Sequence, residues 1–183
     1  MKKILFICPY FGILPKQHME IWLQSCCMNP SIDWLIITDD KTNYNYPENV
    51  RIVYYTFSEM KDYIQSKFKF KINLDRPYKL CDFKPAYGYI FSEYAYGYDF
   101  WGHCDISDCI FGNLRKFLND NLLNTNDKIG FLGHMTLYRN NDEVNKRFMI
   151  KTASGVLLEN ILGVRENKVF DELPEYGINA IYK

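Results

Sequence analysis

Ile4-Leu5-Phe6-Ile7-Cys8 is an unbroken apolar run that Pro9-Tyr10-Phe11-Gly12 brings to a stop. Five consecutive apolar residues cannot alternate between core and solvent, so the run predicts a strand buried on both faces, as in a parallel sheet covered by helices on each side. The next segments repeat the theme. Gln17 to Met28 carries Met19, Trp22, Leu23 and Cys26 at helical spacing, and Asn29-Pro30 ends it. Trp34-Leu35-Ile36-Ile37-Thr38 is a second apolar strand ending at Asp39-Asp40, followed by a polar loop over 41–49. Arg51 to Tyr55 predicts a third strand, and Ser58 caps a predicted helix reaching Phe68. Strand–helix alternation of this kind builds βαβ units, with ligands at the carboxyl ends of the strands.

Further along, Lys79 to Tyr94 predicts a helix from Asp82 onward, with Pro85 in its first turn. Asp99 to Cys104 reads as a fourth strand, Asn113 to Leu123 as a helix, and Ile129 to Gly133 and Met135 to Arg139 as strands. Glu143 to Met149 is expected to be helical, and Thr152 to Leu162 has a weaker helical signal. Val169 to Tyr182 has no clear period.

Composition narrows the function classes. Of 183 residues, 48% are hydrophobic, which excludes a mainly disordered chain. Lys and Arg number 22, as do Asp and Glu, so the basic excess of a dedicated nucleic-acid binder is missing. No apolar run reaches the ~20 residues that span a bilayer. The apolar run behind Met1-Lys2-Lys3 is too short for a secretory signal, which points to a cytoplasmic chain. The six cysteines include no Cys-x-x-Cys pair and are expected to be reduced, with Cys8, Cys81 and Cys104 as small core residues. Aromatic residues reach 17%, a weak pointer to sugar or nucleobase stacking.

Candidate chemistry collects at the strand ends. Asp105-Ile106-Ser107-Asp108 follows the fourth strand, where two carboxylates suit Mn2+ or Mg2+ and, through it, a diphosphate; the same residues also suit a turn or a helix cap. Tyr10 or Phe11 offers a ring for a base, and Gly12 allows close backbone approach. Asp39 and Asp40 offer acceptors for ribose hydroxyls, or form a solvated loop tip. Lys79, Asp82 and Lys84 form either a phosphate-facing group or a charged helix start. His103 and His134 are candidate ligands or structural residues. Asp171-Glu172 is a candidate general base or an acidic turn.

Pro9-Tyr10-Phe11-Gly12, Thr38-Asp39-Asp40, Lys79 to Gly88, Asp99 to Asp105 and Ile110-Phe111-Gly112, with Phe170-Asp171-Glu172 and Gly177-Ile178 later, resemble a family of bacterial glycosyltransferase-like proteins found with capsular and cell-surface polysaccharide genes. The resemblance implies an α/β fold of GT-A type, a Rossmann-like, doubly wound mixed sheet flanked by helices. It implies one domain over 1–183, with a nucleotide-binding half over about 1–112 and a partial acceptor half over about 113–183. Pro9, Tyr10, Phe11, Gly12, Asp39, Asp40, Asp82, Lys84 and Asp105 would then bind a nucleotide-sugar donor, with UDP as the default nucleotide. Asp105 and Asp108 would hold Mn2+ or Mg2+, and Asp171 or Glu172 would deprotonate the acceptor. The acceptor would be a glycan or a lipid-linked glycan, compatible with peripheral membrane association. The family's aspartate pair is separated by one residue, whereas Asp105 and Asp108 are separated by two, and relatives are expected to continue beyond residue 183, so the chain is either shortened or a piece of a longer protein. Both departures keep open a shortened relative that binds nucleotide sugars without transfer. A metal-dependent phosphohydrolase using the same aspartates lacks a supporting histidine cluster.

Overall fold

The computed structural model describes residues 1–106, 109–150 and 157–182. Its centre is a six-stranded mixed sheet: β1 (Ile4–Tyr10), β2 (Ile32–Thr38), β3 (Val50–Tyr54), β4 (Phe100–Cys104), β5 (Lys128–Ile129) and β6 (Met135–Arg139). The spatial order is β3-β2-β1-β4-β6-β5, with β1 to β4 mutually parallel and β6 antiparallel to both its neighbours. Strands before and after residue 112 therefore share one Rossmann-like sheet.

The apolar runs behave as their composition requires. Leu5, Ile7, Leu35 and Ile37 enter one core and Ile4, Phe6, Trp34 and Ile36 the other, so both faces of β1 and β2 are buried. The second core lies beneath α1 (Lys16–Cys27), through Met19, Trp22 and Cys26. The first is closed by α2 (Phe57–Ser66), through Met60 and Ile64. Thr56, not Ser58, caps α2. Its hydroxyl accepts from the Glu59 N–H while the Glu59 carboxylate accepts from the Thr56 N–H, a reciprocal capping box.

The expected α-helix from Asp82 is instead a 3-10 stretch over Pro77–Ala86, followed by the short helices α3 (Tyr87–Ile90) and α4 (Ser92–Ala95). Pro85 lies inside the stretch, where it has no N–H for an α-helical ladder and its ring crowds the carbonyl four residues back. The expected helix from Asn113 is divided: Asn113 caps a 3-10 turn over Leu114–Lys116, and Asn119 caps α5 (Asp120–Thr125). The strand expected to reach Gly133 ends at Ile129, since both Gly133 backbone groups are held by side chains.

Asn141 caps α6 (Asp142–Lys146), and a 3-10 turn follows over Arg147–Met149. Of the helix expected over 152–162, residues 152–156 lie outside the described residues, and α7 (Glu159–Leu162) is present. The last helix among the described residues is α8 (Ile178–Ile181). All six cysteines are free. Cys8 and Cys104 are buried as expected, but Cys81 is only half-buried. No helix among the described residues is long and apolar enough to cross a membrane.

Candidate functional site

β1 runs beside β2 for seven pairs, from Ile4↔Ile32 to Tyr10↔Thr38, but beside β4 only from Ile4↔Phe100 to Ile7↔His103. Pro9 has no N–H with which to extend a ladder, and β1 parts from β4 just before it. This is also where the strand order reverses, since β2 and β3 lie on one side of β1 and β4 on the other. In open α/β sheets the crevice at such a switch point is the usual ligand site. Two cavities of about 180 and 170 Å3 occupy it and share Tyr78, Cys81, Lys84 and Asp105. Pro9, Tyr10 and His103 line the first, and Gly133, Asp171 and Glu172 the second.

Lys84 is the centre of the site. Its ammonium donates to Asp105 Oδ1 at 2.8 Å and to the Gly133 carbonyl at 2.8 Å, and it pairs with Asp171 Oδ2 at 3.4 Å. Burial opposes the charge on Lys84, but Asp105 and Asp171 outweigh it and hold the ammonium above its ordinary range. Burial pushes the Asp171 carboxyl up to about 6; Lys84 pulls against the shift and Glu172 adds to it. The Asp171 carboxylate lies where a Cβ on residue 133 would stand, so only glycine admits it. Glu172 Oε2 accepts from the Gly133 N–H at 3.0 Å. A carboxylate titrating near neutrality beside a fixed cation is a suitable proton acceptor.

The other sequence candidates separate clearly. Phe11 is buried and meets Phe57 edge-on, so its ring belongs to the core and not to a nucleobase. Gly12 has φ +101° and donates to Asp39 Oδ1, while Asp40 accepts from Leu14 N and from the Thr42 amide and hydroxyl. The hydrogen bonds from Thr42 lead in holding the Asp40 carboxyl below its usual range. Asp39 and Asp40 thus clamp the loop after β1, and with Gly12 they line neither cavity.

Asp82 is wholly buried. It pairs with Lys79 at 2.7 Å and accepts from the N–H groups of Lys168 and Phe170. Its carboxylate is occupied by the fold. Asp108 lies outside the described residues. His103 is buried beside Tyr87 and Tyr138; burial, then Lys84 and Lys128, hold its pKa well below the ordinary value. Neither of its nitrogens has a hydrogen-bond partner among the described residues. His134 is exposed on the wall of the second cavity.

Sequence reading missed Tyr78 at the mouth of both cavities and the Val169 turn. Val169 has φ +51°, a left-handed conformation that costs a β-branched residue ~1–3 kcal/mol. The N–H groups on either side of it both point at Asp82, so the buried pair holds the strained turn that delivers Asp171 to Lys84. No local pattern announces a turn held from 86 positions away.

Residues 6–183 match a family of unknown function, DUF6625. No curated protein matches the chain. Because the family match spans nearly the whole chain, including both cavities, this protein belongs to the family of unknown function DUF6625.

Proposed function

We propose that this protein is a glycosyltransferase of GT-A type, moving a sugar from a nucleotide-sugar donor to a hydroxyl of a glycan or lipid-linked glycan. The observation that carries the reading is the convergence of Asp105, Lys84 and Asp171 in the switch-point crevice. In an inverting transfer, Asp171 accepts the proton of the acceptor hydroxyl. The hydroxyl oxygen forms its bond to the anomeric carbon while the bond from that carbon to the diphosphate breaks, and the diphosphate leaves with the electron pair. Tyr10 and Pro9 flank the nucleotide side of the crevice, and the exposed ring of Tyr78 stands across its mouth.

The donor chemistry of Asp105 suits a hard divalent cation such as Mn2+ or Mg2+. Its side chain is 29% exposed at the crevice and presents carboxylate oxygen. Asp105 and Asp108 would hold the ion, and when bound it neutralises the departing diphosphate. Among the described residues no three His, Cys, Asp or Glu side chains converge as a cation site.

Calorimetry with UDP, in Mn2+ and in chelator, together with a UDP-sugar hydrolysis assay, tests the reading. Expected are metal-strengthened UDP binding and turnover that Asp171→Asn abolishes. Absence of nucleotide binding under both conditions overturns it. A second reading, binding without transfer, is favoured by the Lys84 ammonium, which already stands between the two carboxylates that chemistry would need. Metal-independent binding without hydrolysis or transfer would select it.

A further inference from the structure

A cavity of about 520 Å3 lies away from the crevice, between α1 and the loop over residues 42–47. One wall is a stripe of α1: Lys16, Glu20 and Gln24 recur every fourth residue and therefore lie on one face. The cavity lining extends along this helix to Cys27, a length of ~16 Å at 1.5 Å per residue. The opposite wall is Asn43-Tyr44-Asn45-Tyr46, with the two tyrosine rings packed edge-on at 6.0 Å.

This loop is polar, yet it is held in place. Tyr44 Oη donates to the Leu14 carbonyl, Tyr46 N to the Tyr44 carbonyl, and Val50 N to the Pro47 carbonyl, while Asp40 takes both donors of Thr42. A groove whose walls are already ordered avoids much of the entropy cost of binding.

The lining specifies a kind of ligand. It carries one ammonium and one carboxylate, Lys16 and Glu20, so it has no excess charge for an anion or a cation. Gln24, Asn43 and Asn45 each present both a donor and an acceptor, which is what a hydroxyl group needs. Tyr44 is buried and backs the wall, while the half-buried Tyr46 ring supplies an apolar face suited to the C–H face of a sugar ring. The walls are a helix face and a loop, with no unpaired strand edge to extend a peptide backbone. We propose that this groove is a binding site for a linear, uncharged glycan segment, separate from the crevice and independent of the transfer reading.

The test is titration of the 15N-labelled full chain with cellotriose, maltotriose and fully N-acetylated chitotriose, with tetraglycine as a peptide control. The side-chain amide resonances of Gln24, Asn43 and Asn45 report directly on the groove. At least one trisaccharide should shift all three saturably at ~10 mM, a concentration that loads even a millimolar site. Tetraglycine should not shift them. The Asn43→Ala/Asn45→Ala double variant, whose altered side chains are exposed, should keep its circular dichroism and melting temperature. Losing two neutral hydrogen bonds should weaken its trisaccharide binding about 10- to 100-fold, followed through backbone resonances of α1. Any of four results overturns the proposal: no shift with any trisaccharide, shifts confined to the crevice, equal response to tetraglycine, or full affinity in the double variant.

Discussion

Lys79 and Lys84 stand five residues apart on the same 3-10 stretch, and both meet carboxylates, yet they do opposite things. Lys79 and Asp82 have side chains with no exposure, and every strong group they carry is matched. The ammonium reaches Asp82 and the Ile161 and Glu166 carbonyls, and the carboxylate takes Lys79 and two backbone N–H groups. Charge is balanced one to one. Lys84 faces two carboxylates, with Glu172 beside them, at the wall of an open crevice. A balanced, sealed pair is part of the fold. Lys84 and Asp171 are themselves buried, but the cluster borders the crevice through Asp105, whose side chain is 29% exposed. The pair and the cluster are coupled, because the sealed pair holds the Val169 turn that brings Asp171 to Lys84.

The largest expected effect tests the sealed pair. Lys79→Met or Asp82→Ala strands a buried charge and should lower the unfolding free energy by ~3–5 kcal/mol, read from urea melts. A loss under ~1 kcal/mol would break the contrast, because it would mean that solvent reaches the pair.

Lys84→Met should cost less, roughly 2–3 kcal/mol, since Asp105 is partly solvated and keeps water as an alternative partner. The same variant removes the cation that restrains Asp171, so the Asp171 carboxyl should titrate above about 6. NMR titration of the carboxyl carbons checks this.

Asp171 itself gives the third test. Its folded pKa of about 6 lies above the usual ~3.9 of an unfolded aspartate, so between those values the folded chain holds a proton that the unfolded chain has released. This contribution to stability is fully present below pH ~4 and is lost as pH rises through about 6, a change on the order of 3 kcal/mol. Relative to Asp171→Asn, the wild type should therefore lose stability across that window in urea melts at stepped pH. A flat difference would place Asp171 among the solvated acids.

The smallest effect is expected outside the crevice. Asp39→Ala removes the acceptor for Gly12 N, a single hydrogen bond worth ~0.5–1.5 kcal/mol. Since Asp39 lines neither cavity, UDP affinity measured by calorimetry should change by less than about threefold, under ~0.7 kcal/mol. A tenfold loss would extend the functional region to the loop clamp.

Local patterns in the amino-acid sequence account for the strands β1, β2, β3, β4 and β6, the long helices α1 and α2, and the placing of Asp105 at a strand end. Each depends on near neighbours: an apolar run, a helical period, or a breaker such as Pro30 or Gly12. The sequence also marked Lys84, Asp105 and Asp171 as candidates, but with no means of separating them from Asp39, Asp40 or Asp82, since every carboxylate beside a turn has the same local signature. Only the tertiary structure made that separation. It buried Phe11 against Phe57, turned Asp39 and Asp40 onto the β1 loop, sealed Asp82 against Lys168 and Phe170, and left Lys84 between Asp105 and Asp171. The physical reason is that an ionised side chain's role depends on which partners and how much water surround it, and those partners come from distant parts of the chain once the sheet has closed.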